Sequence, residues 1–363
     1  MWTDVVLISR LLINLNADQR SIYPLPTNAL RALQIDSAGR DFMSYDLLDT
    51  FRFFDCSDQR DKVYALLSFP PLCDLQQPIE PDYRKSVAEI FEEAATGVMK
   101  FRQNLGLLSS VEHDSNLDSA WPSWIPRWDH KRTTQILHNY TSGRMDYALP
   151  SFAFEPATLI ASGIHVTTVT WCGSVISESS GHISSLETIR RPLQEWLSTY
   201  IPQAPDVNED FLDRVAMTFT VGLDHMSDCP PRDMPKFRLD FLACTGDILT
   251  SKGLLGNPLR LAQNLSDQTR VGAPEDYYHA AIRGCRNKRI LCADDGSFGV
   301  GPRAAQPGDL VVLLYGSNAP SVLRPTGAYY QFVGECYIHE QMHGEAIEMA
   351  AKEPSLVEKF RIR

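Results

Sequence analysis

The sequence has no excess of basic residues. Its 45 acidic side chains outnumber 34 lysines and arginines, for a formal charge of −11 and a pI near 5.3. Phosphate backbones and anionic lipid both select basic surfaces, so neither nucleic acid nor a charged membrane surface is expected as the main partner. No apolar run approaches the roughly 20 residues that a spanning helix needs. The most apolar early stretch, Val5 to Asn14, contains Arg10 and follows an acidic start. A secretory leader has a basic start and a small-residue cleavage site, so this stretch reads as a first helix. A CxxC pair is missing too. The eight cysteines, at 56, 73, 172, 229, 244, 285, 292 and 336, are scattered, which fits reduced thiols in a cytoplasmic chain. Internal repeats and low-complexity tracts are absent.

The usual catalytic signatures are missing as well. There is no G-x-S-x-G elbow, no HExxH, no Cys-His zinc spacing and no carboxylate facial triad. Gly296-x-x-Gly299-x-Gly301 is glycine-rich, but a phosphate loop must feed a helix N-terminus, and this one runs through Pro302 toward further β text. It reads as a hairpin. His339 and His343 are four apart, yet Gly344 interrupts the segment and no third ligand is near in sequence, so no metal is expected. Cys336 lies in a strand pattern, where a buried thiol behaves as a small hydrophobe.

What is present is ordinary globular text: 363 residues, 44% hydrophobic and 22% charged. Residues 1–54 read as helix, turn, helix, with Pro24 and Pro26 as the break. Asp58 is positioned to cap a helix carrying Val63, Tyr64, Leu66 and Leu67, and the stretch from Pro81 to Phe91 opens another helix with Val87, Ile90, Phe91 and Ala94 on one face. Ala157 to Val169 alternates and is β-branched, which predicts strand-turn-strand. Helices are expected from Ser184 to Tyr200, from Phe211 to Met226 and from Tyr277 to Lys288, with a loop at Pro230–Pro235. Near the C-terminus Pro307-Gly308-Asp309 is a turn, with the aspartate able to bond back to the backbone. Leu310–Leu314, Val322–Arg324 and Gln331–Val333 then read as short strands. The expected class is α+β, with helical N-terminal and middle segments packed on a small antiparallel β-meander or barrel formed largely by the C-terminal region. The expected organisation is one globular unit over 1–363: a mainly helical part over 1–130, a mixed part over 131–270 and the meander over 271–363.

Three separated blocks then carry a resemblance. The pair "DQRDKVYALLSF … PDYRKSVAEIFEEAA", the tryptophan-rich "WPSWIPRW" and the late "PGDLVVLLYGSNAPSVLRP … YQFVGECYIHEQMHGEA" stand in this order. They are similar to the "RDKVYALLGL … DYSKSVAEVF", "LPSWVPDW" and "GDLVCVLLGCSVPFVLRP … LVGECYVHGIMDGEA" segments of the fungal heterokaryon-incompatibility (HET) family. Family members typically open with a TIR-like effector marked "ALSYTWG". Nothing in residues 1–54 resembles it, so the expectation is a chain that keeps only the region beyond the effector, without its cell-death activity.

Trp121, Trp124 and Trp128 stand among Pro122 and Pro126, rings spaced every third or fourth position on a stiff backbone. They read either as a clasp between the helical and β parts or as one wall of an apolar pocket for a hydrophobic small molecule. For the pocket reading, Trp121, Trp124, Trp128, Tyr315 and Tyr330 are the candidate substrate-binding residues. Arg324, His339 and Glu335 are the candidate catalytic ones, with Asp129 and His130 as further polar lining. Arg324 beside Pro325 is suited to hold a carboxylate or polarise a carbonyl, or else to pair with Glu335. The resemblance implies two functions. One is a cofactor-independent cyclase or pericyclase of fungal secondary metabolism, of the terpenoid kind and of intramolecular Diels–Alderase type, to which HET-like proteins without redox motifs are linked. It needs only a shaped cavity and a hydrogen-bond donor. The other is a non-enzymatic recognition or regulatory module of the incompatibility system.

Overall fold

The computed structural model describes residues 44–114, 116–117, 121–137, 140, 142–143, 152–177, 186–200, 208–224, 230–251 and 272–363. The helices expected before residue 44 lie outside them. The described chain divides into two units. One comprises the chain up to Arg102 together with Ile125–Arg132, and the other comprises Gln103–Trp124 and Thr133–Arg363.

In the first unit the helices are α1 (Ser44–Phe51), α2 (Asp61–Tyr64), α3 (Pro70–Cys73) and α4 (Val87–Arg102). A capping box starts α4: Ser86 Oγ accepts the Glu89 N–H at 3.3 Å, and Glu89 reaches back to the Ser86 N–H at 2.7 Å. Ile90, Phe91, Ala94, Ala95, Val98 and Met99 form its buried face, at helical spacing. Lys100 and Arg102 lie in its last turn, where the helix dipole favours cations. Asp58 turns its carboxylate to the N–H and guanidinium of Arg60 (3.0 and 2.9 Å), not to the helix start.

The two halves of the first sequence block are docked on each other. Arg60 donates to the carbonyls of Tyr83 (2.5 Å) and Lys85 (2.9 Å), Tyr83 donates its hydroxyl to Asp61 (2.6 Å), and the Tyr64 hydroxyl accepts the Asp82 N–H (3.0 Å). The spacing of the "RDKVY" and "PDYRKS" text therefore serves a turn-to-helix clamp.

A second polar core sits beside α1. Arg52, 2% exposed, donates to Asp49 (2.8 Å) and to the carbonyls of Arg127 (2.6 Å) and His130 (2.8 Å). Arg132 adds two bonds to the same carboxylate at 2.9 and 3.0 Å. Burial pushes the Asp49 carboxyl up, but the charges of Arg132 and Arg52 outweigh it and hold the pKa below its ordinary value.

The second unit is built on one mixed sheet of nine strands: β1 (Phe152–Glu155), β2 (Thr158–Cys172), β3 (Lys288–Ala293), β4 (Phe298–Pro302), β5 (Leu310–Leu314), β6 (Ser321–Thr326), β7 (Tyr329–Glu335), β8 (Tyr337–Ile338) and β9 (Val357–Ile362). The fold is α+β. The strand-turn-strand expected over Ala157–Val169 is a single 15-residue strand. Gly163 does not turn the chain; it lets β5 approach, since a Cβ there would lie 2.6 Å from the Leu313 carbonyl oxygen. Register shifts between His165 and Thr167 and between Val169 and Trp171 bend β2, so that it serves two parts of the sheet. Its first half pairs with β9 on one side and with β1 and β5 on the other, while its far end pairs with β3. The path β2–β5–β6–β7–β9–β2 closes on itself as a five-stranded barrel, with β7–β9 its one parallel join. Val311, Val322, Val333, Cys336 and Ile338 are among the residues of its buried core.

Against this sheet pack α5 (Glu187–Tyr200), α6 (Glu209–Phe219), α7 (Met234–Ser251) and α8 (Pro274–Cys285), around a second core that includes Leu193, Trp196, Phe211, Phe241, Tyr277 and Phe298. α9 (Glu345–Lys352) lays Ala346 and Ala350 on Ile164 and Leu313 of the barrel. The glycine-rich stretch is the β3–β4 hairpin, as expected. Gly299 is the position where β8 crosses closest: a Cβ would sit 2.1 Å from the Tyr337 carbonyl oxygen and 2.5 Å from Ile338 Cδ1. Gly299→Ala is expected to destabilise the protein by about 2 kcal/mol, the scale of an overpacked core. Urea unfolding should show a lower midpoint at an unchanged slope.

Candidate functional site

The sequence-predicted site residues fall into separate surroundings. Trp124 is fully buried in the second unit, its ring against Phe154 (5.6 Å between centroids) and its indole N–H donating to the Ala157 carbonyl at 3.3 Å. Trp128, also fully buried, belongs to the first unit and meets Phe91 edge-on at 5.1 Å. Asp129 pairs with Arg127 at 2.8 Å, and His130 lies exposed next to it. Trp121 alone of the three rings lines an open recess.

Arg324 pairs with Asp309, not with Glu335. Its Nε and Nη2 donate to the two carboxylate oxygens at 2.9 and 3.0 Å, and Nη2 also donates to the Ala304 carbonyl at 2.7 Å. The register explains the choice. Leu310 on β5 faces Leu323 on β6, so the next residues outward, Asp309 and Arg324, are also opposite. Asp309 is 1% exposed and its Oδ2 also accepts the Gln306 N–H at 2.9 Å, the backward bond anticipated for the turn.

Glu335 is buried, and its Oε1 accepts the Leu137 N–H at 2.7 Å. It borders a cavity of about 20 Å3 together with Ser109, His113, Lys288 and Arg303. That volume is room for a single water. His339 shares a 2.8 Å hydrogen bond with the Tyr337 hydroxyl through Nδ1. Burial lowers its pKa, with Arg214 and His343 acting the same way against Glu340 and Glu345. His339 starts a short 3-10 turn and Gly344, at φ +97°, begins α9, so the two histidines do not share a helix face. His343 instead stands edge-on to Tyr140 at 5.8 Å. Tyr315 packs on the α9 side of the barrel, and Tyr330 meets Phe360 edge-on at 5.3 Å. Burial alone pushes the Cys336 thiol far above its usual range, and Glu335 adds to it, so the thiol stays protonated.

Two larger recesses open to solvent. The first unit carries a groove of about 420 Å3 along α4, with Gln76, Gln77, Glu89, Glu93, Lys100 and Phe101 among its walls. The second unit carries a cleft of about 220 Å3 lined by Trp121, Pro122, Ala157, Thr326, Tyr329, Gln331 and Arg363. Four segments meet there: the tryptophan-rich stretch, the β1–β2 turn, the β6–β7 hairpin and the end of β9. The guanidinium carbons of Arg361 and Arg363 lie 5.4 and 5.7 Å from the centre of the Tyr329 ring. Sequence reasoning passed over both arginines, although "KFRIR" carries the signal. Phe360 and Ile362 are buried, and the residues between and after them face outward.

No group of three or more His, Cys, Asp or Glu side chains among the described residues is arranged to hold a metal ion. No described helix is long and apolar enough to cross a membrane.

The fold defines an α+β protein whose β-barrel completes itself through strands far apart in the chain. Residues 262–357 match the Het-6 β-barrel domain. The chain is 24% identical over 345 residues to heterokaryon incompatibility protein 6, OR allele, of Neurospora crassa, an alignment covering 82% of this chain and 50% of that protein. It thus spans about half the length of the curated relative it matches. The chain is thus similar to a heterokaryon-incompatibility protein over most of its length, and its barrel region to the Het-6 β-barrel domain. No solved structure matches it at a significant level.

Proposed function

We propose that this chain is a non-enzymatic recognition module of the incompatibility type, acting in the cytoplasm by binding through its surface. The observation that carries this reading is the commitment of Arg324. The cation best suited to polarise a carbonyl gives its Nε and Nη2 donors to Asp309 and the Ala304 carbonyl. The similarity to a protein named for heterokaryon incompatibility supports the same reading. A cofactor-independent cyclase of Diels–Alderase type is the competing function. It requires a water-poor apolar cavity with Arg324, His339 or Glu335 reaching the substrate beside the tryptophans. Among the described residues, the two larger recesses are open and are lined by none of those three side chains.

The test offers the purified chain a linear polyene bearing a diene and a conjugated enone, and follows product formation by chromatography. The expected result is the uncatalysed rate with the uncatalysed ratio of stereoisomers. A faster rate or a changed ratio overturns the recognition reading in favour of the cyclase.

A further inference from the structure

We infer that the tryptophan-rich stretch is a strap coupling the buried polar core of the first unit to a seam in the barrel. The inference concerns a conformational device and stands apart from the recognition reading.

The seam is the parallel join. β7 and β9 share a single residue pair, Tyr330 with Ile362, whereas every other join of the barrel carries at least three. Past that pair the Phe332 N–H donates to Ser123 Oγ at 2.7 Å. The same hydroxyl donates to the main-chain oxygen of Arg363 at 2.5 Å. Ser123 is 2% exposed, so one buried hydroxyl accepts from one strand and donates to the other. It stands in for a rung that the ladder lacks.

The strap is held at two places. In the second unit the Ser123 carbonyl accepts the His113 Nε2–H at 2.9 Å, and the Trp124 indole donates to the Ala157 carbonyl at 3.3 Å. In the first unit Arg52 holds the Arg127 and His130 carbonyls at 2.6 and 2.8 Å, and Trp128 is buried against Phe91. Only Ile125 and Pro126 separate the two sets of anchors. Both are buried, and the proline ring fixes one dihedral of this short link. A link so short and stiff has little slack. When Arg52 lets go of its two carbonyls, the strap shifts and Ser123 leaves the seam. Arg52 is itself fixed by Asp49 at 2.8 Å, so the seam reports on that carboxylate through chain continuity alone. The two-state element that both ends bias is the strap, docked or released.

Hydrogen–deuterium exchange of the full 363-residue chain tests the coupling. Exchange is read over 329–335 and 357–363 for the seam and over 288–302, the β3–β4 hairpin, as the reference. Ser123→Ala removes the bridge and is expected to speed exchange at the seam at least about fivefold, the low end of ordinary coupling between sites. Arg52→Met alters only the first unit and is expected to do the same. The double variant is expected to stay within about twofold of Ser123→Ala, because both losses act through one hydroxyl. One glycine inserted between Pro126 and Arg127 supplies slack, and it is expected to restore seam protection in the Arg52→Met background.

Seam exchange unchanged by either single variant, effects that multiply in the double variant, or no rescue by the glycine overturns the inference. So does faster exchange in the hairpin equal to that at the seam, which marks general loosening. If Arg52→Met does not fold, the parent is followed through sub-denaturing urea. The seam is then expected to join the opening of residues 44–102 as urea rises, and a separate curve throughout overturns the coupling.

Discussion

Replacing Asp309 with alanine is expected to cost about 3 kcal/mol of folding stability, a large share of the 5–15 kcal/mol typical of a domain. The carboxylate is almost fully buried, accepts two bonds from Arg324 and also holds the Gln306 N–H that closes the turn. Its removal leaves a half-buried guanidinium with only the Ala304 carbonyl as acceptor. Urea unfolding measures the loss. The double variant Asp309→Asn, Arg324→Met is expected to recover part of it, because a neutral replacement of the whole pair leaves no isolated charge. Were Arg324 a working catalytic group, its loss would alter chemistry and leave stability nearly unchanged. Here the expected signature is the reverse.

The second large effect concerns acid and the first unit. Asp49 has a depressed pKa, so it binds fewer protons folded than unfolded. Its contribution is fully present above the unfolded value of about 3.9 and disappears as pH falls through the lower folded value. The thermal midpoint is therefore expected to drop as pH is lowered below about 4. Asp49→Asn is expected to cost about 3–5 kcal/mol at neutral pH, because Arg52 and Arg132 both lose their shared carboxylate while buried. The same variant should flatten the acid limb of the stability profile. A melting series from pH 3 to 7, monitored by circular dichroism, reads both effects.

How much was legible before the structure depended on how local the signal was. The strands at Leu310–Leu314, Val322–Arg324 and Gln331–Val333 were readable because β-branched runs were punctuated by Pro307-Gly308 and Pro325-Thr326-Gly327. α4 was readable from the helical spacing of Val87, Ile90, Phe91 and Ala94. α7 was not. "MPKFRLDFLACTGDILTS" has Pro235 near its start, Gly246 inside and two threonines late, so its helical periodicity is faint. The helix is held by tertiary burial of Phe237, Phe241, Cys244 and Ile248. β9 was missed for a related reason: six residues with three charges become a strand only when β2 supplies a partner. The candidate site suffered most. Asp309 and Arg324 are 15 apart, and their pairing follows from strand register, which residue types alone do not disclose. The arginines flanking Tyr329 meet it only through barrel closure.

That closure governs how the protein is made. β2 pairs through Leu159–Ile164 with Val357–Ile362, so one edge of the central strand stays bare until the ribosome has released β9. Contacts of such long sequence separation form slowly, and exposed strand edges recruit one another. Until then the half-finished barrel exposes that edge, and a chain cut before residue 357 is expected to leave the sheet open and prone to aggregate.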